Sequence, residues 1–263
     1  MKTTKSRYGH LLQNPLQDRV DRARPGAELA LPAGVWEGNL QIDKKITLRG
    51  HGTHSSFING MGSYQSTLIV GPSDVTVQLS RLSLGRPSDR AVGPNGLTVI
   101  GQGKVSAKDA KFLGQDWAVA LWDEGEVQLR RCKLSADEYG LVLLGLARAK
   151  VQNCSLIKNG QGCGLLSFDS TQADVSVSTI SENKNGIVAW DSSKIYLGRS
   201  QIRENRDYGI VYYLSSLGVH ASLNGHDNEF RRNGKGKVKF VKEGGNRFRD
   251  KLTRKLANRI GTF

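Results

Sequence analysis

The chain has 263 residues, a formal net charge of +14, 38% hydrophobic residues and 31 glycines. No apolar run is long enough to cross a bilayer, and no apolar segment follows the basic N-terminus, so we expect neither a membrane span nor a secretory signal. Three cysteines do not suggest a disulfide framework. We therefore expect a cytoplasmic protein, provided that no signal peptide has been removed from it.

The first predicted element is a short amphipathic helix that begins at residue 15, after an N-terminal extension of residues 1–14. Leu16, Val20 and Ala23 recur at helical spacing, and Arg24-Pro25-Gly26 ends the helix. Brief strands of alternating polarity follow in the segments ELAL, GNLQI and KITLRG, and the turns between them contain Pro, Gly and Asp. This region predicts one helix followed by short β-strands.

The stretch from residue 117 to residue 236 contains five copies of one unit. Its copies are marked by Gly140, Gly164, Gly186 and Gly209, which are 24, 22 and 23 residues apart. A unit of this length cannot bury an apolar face alone, so each copy must stack on its neighbours. The repeat therefore predicts a solenoid.

Alignment of the copies produces columns of similar residues, which predict the inward side chains of stacked strands. The apolar columns are Val105, Val127, Ala149, Ala173 and Ile195, then Ala107, Leu129, Val151, Val175 and Leu197, then Phe112, Leu134, Leu156, Ile180 and Ile202. A column of small residues contains Ala110, Cys132, Cys154, Ser178 and Ser200, so the cysteines in it are expected to have a packing role. A turn column contains Asn159, Asn183, Asn205 and Asn233.

The segment PGAELALPAGVWEGNLQIDKKITLRGHG, preceded by a helix, resembles the N-terminal cap and first coil of right-handed parallel β-helix proteins of the pectin-lyase-like superfamily. With the repeats, the resemblance covers roughly residues 15–236. It implies an all-β, single-stranded right-handed parallel β-helix over 15–236 with a short N-terminal capping helix. Residues 237–263 would form a basic C-terminal cap or tail with a helical segment. The resemblance does not decide the activity, because this fold carries many functions.

The first strand of each copy has apolar residues at its outward positions, where a solvent-facing strand is usually polar. We call the last of these residues in successive copies the aromatic strip: Trp122, Leu144, Phe168, Trp190 and Tyr213. An exposed apolar patch of this size indicates a binding surface or a covered one.

Three explanations of the aromatic strip compete. Residues 250–263, with Leu252, Leu256, Ile260 and Phe263 on one side of a predicted helix, could cover it or close the end of the solenoid. The strip could instead bind a protein partner or a second copy. It could also be a carbohydrate cleft in which the rings stack on sugars.

Carboxylates follow three residues of the strip directly, at Asp123, Asp169 and Asp191. Asp169 and Asp191 belong to adjacent copies, so they could act as an acid and nucleophile pair, with Lys194 as the base of a lyase. The resemblance implies that related enzymes use this strand and turn. However, Asp is also an ordinary turn residue, and the polygalacturonase motifs Asp-Asp and Arg-Ile-Lys are missing. A lyase would use Ca²⁺; otherwise no cofactor and no metal site are predicted.

Positive charge is concentrated at the C-terminal end, where residues 231–263 contain twelve Lys or Arg residues against Glu243 and Asp250. Such a segment is either a solvated tail or a site for an anionic polymer, nucleic acid or polysaccharide. The candidate anion-binding residues are Arg231, Arg232, Lys235, Lys237, Lys239, Arg254 and Lys255.

The favoured hypothesis is a non-catalytic binding or scaffold protein, which presents the aromatic strip to a protein partner and uses its basic tail for an anionic one. The alternative is a carbohydrate-active enzyme, a polysaccharide hydrolase or lyase that works along the strip.

Overall fold

The computed structural model describes residues 14–60, 65–85, 95–114, 116–214 and 221–242. They form one helix, α1 at Pro15–Arg22, and 27 strands numbered in chain order. Sheet A contains β1 Glu28–Leu31, β4 Ile46–Gly50, β7 Thr76–Ser80, β10 Lys104–Lys108, β13 Glu126–Arg130, β16 Arg148–Gln152, β19 Gln172–Ser176, β22 Lys194–Gly198 and β25 Ser222–His226. Sheet B contains β2 Gly34–Glu37, β5 Ser56–Asn59, β8 Ser83–Leu84, β11 Lys111–Gly114, β14 Lys133–Ala136, β17 Ser155–Ile157, β20 Thr179–Ser181, β23 Gln201–Arg203 and β26 Glu229–Arg231. Sheet C contains β3 Leu40–Ile42, β6 Leu68–Val70, β9 Asn95–Val99, β12 Trp117–Leu121, β15 Tyr139–Leu143, β18 Cys163–Ser167, β21 Asn185–Ala189, β24 Tyr208–Leu214 and β27 Gly236–Lys242.

Each run of three consecutive strands visits sheets A, B and C once and forms one coil, so the described residues build nine coils. Equivalent strands of successive coils pair in parallel; Val127 of coil 5, for example, lies between Val105 of coil 4 and Ala149 of coil 6. This is a parallel β-helix, and the predicted all-β solenoid is confirmed. No helix among the described residues is long and apolar enough to span a membrane.

Helix α1 covers the first coil. The Asn14 side chain accepts a hydrogen bond from the Gln17 N–H and so caps the helix, and Pro15 occupies its first turn. Leu16 and Val20 are buried in the core. The helix thereby shields apolar residues at the start of the solenoid, as its sequence pattern predicted.

The inward columns predicted from the repeat form the core. All members of the three apolar columns are buried, and Phe112, Leu134 and Leu156 are stacked in register along sheet B. The small column is buried as well, at the corner between sheets A and B.

The glycines that mark the repeats lie within strands of sheet C, near their beginning, and not in the turns where we placed the ends of the repeats. A Cβ atom at Gly140 would lie 2.6 Å from the Gly164 carbonyl oxygen, and one at Gly164 would lie 3.0 Å from that of Gly186. Glycine is therefore needed because the backbones of neighbouring coils approach too closely for a side chain.

The predicted asparagine column forms a buried ladder. Asn183 Oδ1 accepts hydrogen bonds from the backbone N–H and the side-chain Nδ2 of Asn159, while its own Nδ2 donates to Leu156 O and to Asn205 Oδ1. Asn205 repeats the pattern with Asn233. The ladder joins coils 6 to 9 at the turn between sheets B and C.

All three cysteines are buried and unbridged. The hydrogen bond with Cys154, together with burial, raises the pKa of the Cys132 thiol, and burial raises the pKa of the Cys163 thiol. Thiols in this state are poor nucleophiles, which agrees with the predicted packing role.

The solenoid extends beyond its predicted end. Strand β27 continues to Lys242 and pairs with β24, so residues 237–242 belong to the ninth coil and not to a tail. The predicted helix at 250–263 and the predicted extension up to residue 13 lie outside the described residues.

We expect Asn183→Leu to destabilise the protein by at least about 3 kcal/mol, because it removes hydrogen-bond partners from buried groups of the two neighbouring coils. Urea unfolding followed by far-UV circular dichroism measures the change. Gln128→Ala, at an exposed position of β13, is the matched control and should change the free energy of unfolding by less than about 0.5 kcal/mol. Equal effects of the two substitutions would contradict a structural ladder.

Candidate functional site

The outward face of sheet C, for which we left exposure and coverage as alternatives, is largely buried. In five successive coils, the outward residue two positions before the aromatic strip is buried. We call these residues the middle row: Ala120, Val142, Leu166, Val188 and Val211. In the aromatic strip, Phe168 and Trp190 are only 3% and 2% exposed, and Trp122, Leu144 and Tyr213 are half-buried. The two central rings are therefore not available as they stand to a protein partner or a sugar.

The rings of the strip are stacked on one another along the solenoid. The Trp190 ring lies between Phe168 and Tyr213, with ring centroids 4.8 and 3.9 Å away and interplanar angles of 20° and 17°. Together with Cys163 and the buried middle row, they form a second apolar cluster on the outside of sheet C. The strip is thus part of the packing of the protein. The segment at 250–263, which we considered as its cover, lies outside the described residues.

The three predicted carboxylates occupy one position of the turn that follows sheet C. Asp123, Asp169 and Asp191 all have left-handed backbone conformations, with φ of 56°, 54° and 53°, and Gly145 takes the same position in the intervening coil with φ of 73°. Short polar residues and glycine are the types that tolerate this conformation. The recurrence of Asp is therefore explained by the backbone.

The side chains of these carboxylates differ in their surroundings. Asp169 Oδ2 accepts a hydrogen bond of 3.0 Å from the backbone N–H of Gly145, which ties one turn to the next. One carboxylate oxygen of Asp191, Oδ2, is buried without a hydrogen-bond partner. No group of three His, Cys, Asp or Glu residues in the described part of the chain could hold a metal ion.

Lys194 begins β22 and lines a groove over sheet A that we did not predict. This sheet A groove has a volume of about 480 Å³ and crosses coils 6 to 9. Its polar and aromatic lining is Arg148, Lys150, Gln172, Asp174, Lys194, Tyr196, Ser222 and Asn224. The Tyr196 ring is 41% exposed and makes an edge contact with His226 at 6.0 Å.

The charges in the groove are mostly positive. Among the described residues that line it, Asp174 is the one carboxylate, whereas Arg148, Lys150 and Lys194 are cationic. Arg148 approaches Glu126 at 3.9 Å, and neither Lys150 nor Lys194 forms an ion pair within the described residues. The groove can therefore attract an anionic ligand.

A second hollow of about 250 Å³ adjoins the groove, since Arg148 lines both. It carries charges of both signs, and Lys104 donates to Asp74 over 2.7 Å, which raises the pKa of Lys104. From Lys104 of coil 4 to Ser222 of coil 9 the two hollows extend for about 24 Å at a strand spacing of ~4.8 Å. Their direction follows the solenoid axis.

The last coil presents the five predicted anion-binding residues that the structure describes, and all five are exposed: Arg231, Arg232, Lys235, Lys237 and Lys239. The first three approach carboxylates of Glu229, Glu204 and Asp207 at 3.7, 3.8 and 3.1 Å.

The other two cations of the last coil lie over aromatic rings. Lys237 Nζ is 4.5 Å from the centroid of Phe230, and Lys239 Nζ is 5.1 Å from that of Tyr208. Arg254 and Lys255 lie outside the described residues.

We expect Trp190→Ala to destabilise the protein by about 3–5 kcal/mol, because a large buried ring is lost between two stacked neighbours. Tyr196→Ala removes an exposed ring and should cost less than about 0.5 kcal/mol. Thermal and urea unfolding of the two variants compare the two rings directly. A fully stable Trp190→Ala protein would mean that the strip is not part of the packing.

The role of Asp191 can be tested through its backbone conformation. Asp191→Gly should keep the free energy of unfolding within about 1 kcal/mol, because glycine adopts a positive φ at no steric cost. Asp191→Val should be less stable than Asp191→Gly by about 1–3 kcal/mol, since a β-branched residue is strained there. If both variants are equally stable, the turn conformation does not explain the aspartate.

Comparison with known proteins agrees with this architecture. The chain superposes on pectate lyase Pel9A with a TM-score of 0.60 and 12% identity, covering 84% of this chain and 72% of that one. For pectin methylesterase PemA from Erwinia chrysanthemi the TM-score is 0.60 at 11% identity, with 89% and 90% covered. For tailspike protein 2 of bacteriophage CBA120 it is 0.56 at 14% identity, with 87% of this chain but 40% of the tailspike domain covered. At these identities the likeness shows the fold alone.

No curated protein matches the sequence itself. The model of the right-handed β-helix region, by contrast, matches residues 92–251, which is more than half of the chain. The nine parallel coils, the capping helix and this match lead to one conclusion: the chain belongs to the right-handed β-helix family and has the fold of the pectin-lyase-like superfamily.

Proposed function

We propose that this protein binds an acidic polysaccharide along the sheet A groove and does not cleave it. The observation that carries the proposal is the exposed Tyr196 ring, which lies in a groove with three cations and one carboxylate. An aromatic face packs against the apolar face of a sugar ring, and Lys or Arg pairs with the acidic groups of the polymer.

The direction of the groove suits a linear polymer. Tyr196 is in register with Asp174 on one side and Asn224 on the other, and Lys194 is in register with Gln172 and Ser222. A glycan that runs along the solenoid therefore meets an equivalent pair of side chains once per coil. The amide and hydroxyl groups supply hydrogen bonds to sugar hydroxyls.

A further observation supports binding without catalysis. The left-handed turns that follow sheet C account for the predicted catalytic residues Asp169 and Asp191 without a catalytic role. In addition, Asp169 accepts a hydrogen bond from a backbone N–H of the preceding turn. Two structural neighbours are named for pectate and pectin, and these names favour a polysaccharide over nucleic acid as the ligand class.

The test is the affinity for polygalacturonate, measured by calorimetry and by retardation in gels that contain the polymer. We expect Tyr196→Ala, as well as the double variant Lys150→Gln/Lys194→Gln, to weaken binding about tenfold, because each removes about 1.4 kcal/mol or more of contact energy. Added salt should weaken the wild type more than the double variant. Lys133→Gln, a charge-matched change on sheet B, should bind as the wild type does.

Three outcomes contradict the proposal. One is equal binding of neutral dextran, and another is unchanged affinity of both groove variants. The third is tighter binding of single-stranded DNA that Tyr196→Ala does not alter. Release of unsaturated or reducing ends from polygalacturonate, abolished in Asp191→Asn, would instead support the enzymatic alternative.

A further inference from the structure

A second positively charged feature lies at the corner between sheets A and B in coils 4 and 5, away from the sheet A groove. We call it the basic corner, and its residues are Lys108, Asp109 and Lys111 of coil 4 with Arg130, Arg131 and Lys133 of coil 5. Lys108 is in register with Arg130, and Lys111 is in register with Lys133. Like charges therefore occupy adjacent strands twice within one corner.

Such stacking is unfavourable on its own, because like charges on directly neighbouring strands repel each other. The repeat does not require it, since the coils on either side have uncharged residues at the same positions: Ser80 and Ser83 in coil 3, and Gln152 and Ser155 in coil 6. A local conflict that the fold does not impose is typical of a site with a function.

The carboxylate of the corner is engaged with one of the cations. Asp109 accepts hydrogen bonds of 2.6 and 2.7 Å from Nε and Nη2 of Arg131, and this guanidinium holds the pKa of Asp109 below its usual range. The remaining terminal nitrogen of Arg131, Nη1, makes no hydrogen bond within the described residues. The pair thus fixes the Arg131 side chain, and Lys133, which makes no ion pair within the described residues, adds a further positive charge beside it.

Four residues of the basic corner, Asp109, Lys111, Arg131 and Lys133, line a groove of about 630 Å³. Thr53 and His54, from the loop between β4 and β5, form another part of the lining, and Asn153 and Ser155 of coil 6 continue it. The loop is tied down because Ser83 Oγ donates to Thr53 O over 2.7 Å and Arg81 donates to His51 O over 2.8 Å. A volume of this size is within the range of small-molecule sites.

We infer that this groove binds a tetrahedral oxyanion, the phosphate or sulfate group of a small ligand. Arg131 and Lys133 provide charge-assisted hydrogen bonds from one wall, and Asn153, Ser155 and His54 provide polar groups around it. A groove lined by guanidinium, ammonium, amide and hydroxyl donors suits the four oxygens of a tetrahedral anion better than the two coplanar oxygens of a carboxylate. The site is separate from the sheet A groove and does not depend on the function proposed for that groove.

The experiment measures binding of inorganic phosphate and of inorganic sulfate to the full-length protein by calorimetry and by thermal shift, at constant ionic strength set with sodium chloride. We expect saturable binding of both anions and a higher Tm, with acetate at least about tenfold weaker. Arg131→Gln and Lys133→Gln should each weaken the binding about tenfold. Lys150→Gln, a matched loss of charge in the sheet A groove, should leave it unchanged.

Circular dichroism and the Tm without ligand confirm that each variant is folded, and Lys133→Gln serves as the decisive variant because Lys133 makes no ion pair within the described residues. The inference is overturned if the wild type shows no saturable binding of either anion. It is also overturned if Lys150→Gln and Lys133→Gln weaken the binding equally. Lys133→Gln should lose affinity for phosphate and sulfate but keep the wild-type affinity for polygalacturonate. The two proposals can therefore fail independently of each other.

Discussion

Each coil of this protein buries its inward side chains only against the coils on either side of it. Leu134 is fully buried because Phe112 and Leu156 lie in register above and below it. The same dependence explains the two ends of the described solenoid. Helix α1 supplies the missing neighbour at the first coil, whereas on the ninth coil Val238 and Phe240 of the inward column are exposed, the latter by 65%.

The corners between sheets place polar and charged groups at fixed positions around this core. A left-handed residue recurs at the corner between sheets A and B, and the fold accepts very different side chains there, including Asp109, Arg131 and Asn153. It even accepts the β-branched Val177 at φ of 50°, which is a strained choice. The recurrence of a residue type in such a column is therefore explained first by the backbone conformation. A functional role requires a second observation, such as the groove that we inferred to bind an anion beside Arg131.

The fold could be predicted from the sequence because the inward positions repeat the same kind of residue every 22 to 24 residues. Leu134, Cys154 and Asn183 were assigned correctly on that pattern alone. The exposure of the outward face of sheet C could not be predicted, because a parallel strand that is buried on both faces has the same apolar sequence as one with an exposed apolar face. The sequence therefore left open whether Phe168 and Trp190 are exposed or covered. The predicted end of the last coil, residue 236, was too early. This coil is longer than the others, so the repeat did not show that Gly236 begins a strand that continues to Lys242.

The candidate sites were less predictable, and the reason is geometric. Arg148, Asp174 and Tyr196 are ordinary outward residues of three separate strands, and only the register of sheet A brings them into one groove. The same holds for Lys111 and Lys133, which are 22 residues apart in sequence and adjacent in sheet B. The aligned repeats place these outward charges in neighbouring coils, but the alignment alone does not show that they line one groove.

The sheet A groove has a further property because it crosses the coils at a right angle to the strands. Its length is a whole number of strand spacings, so the number of coils sets the length of the groove. Duplication or loss of one 22-residue coil would lengthen or shorten the groove by a single ~4.8 Å step. It would do so without a new core, since every coil presents the same inward surface to its neighbours. Under the function proposed above, a change in the number of coils would by itself match the groove to a polymer of a different length.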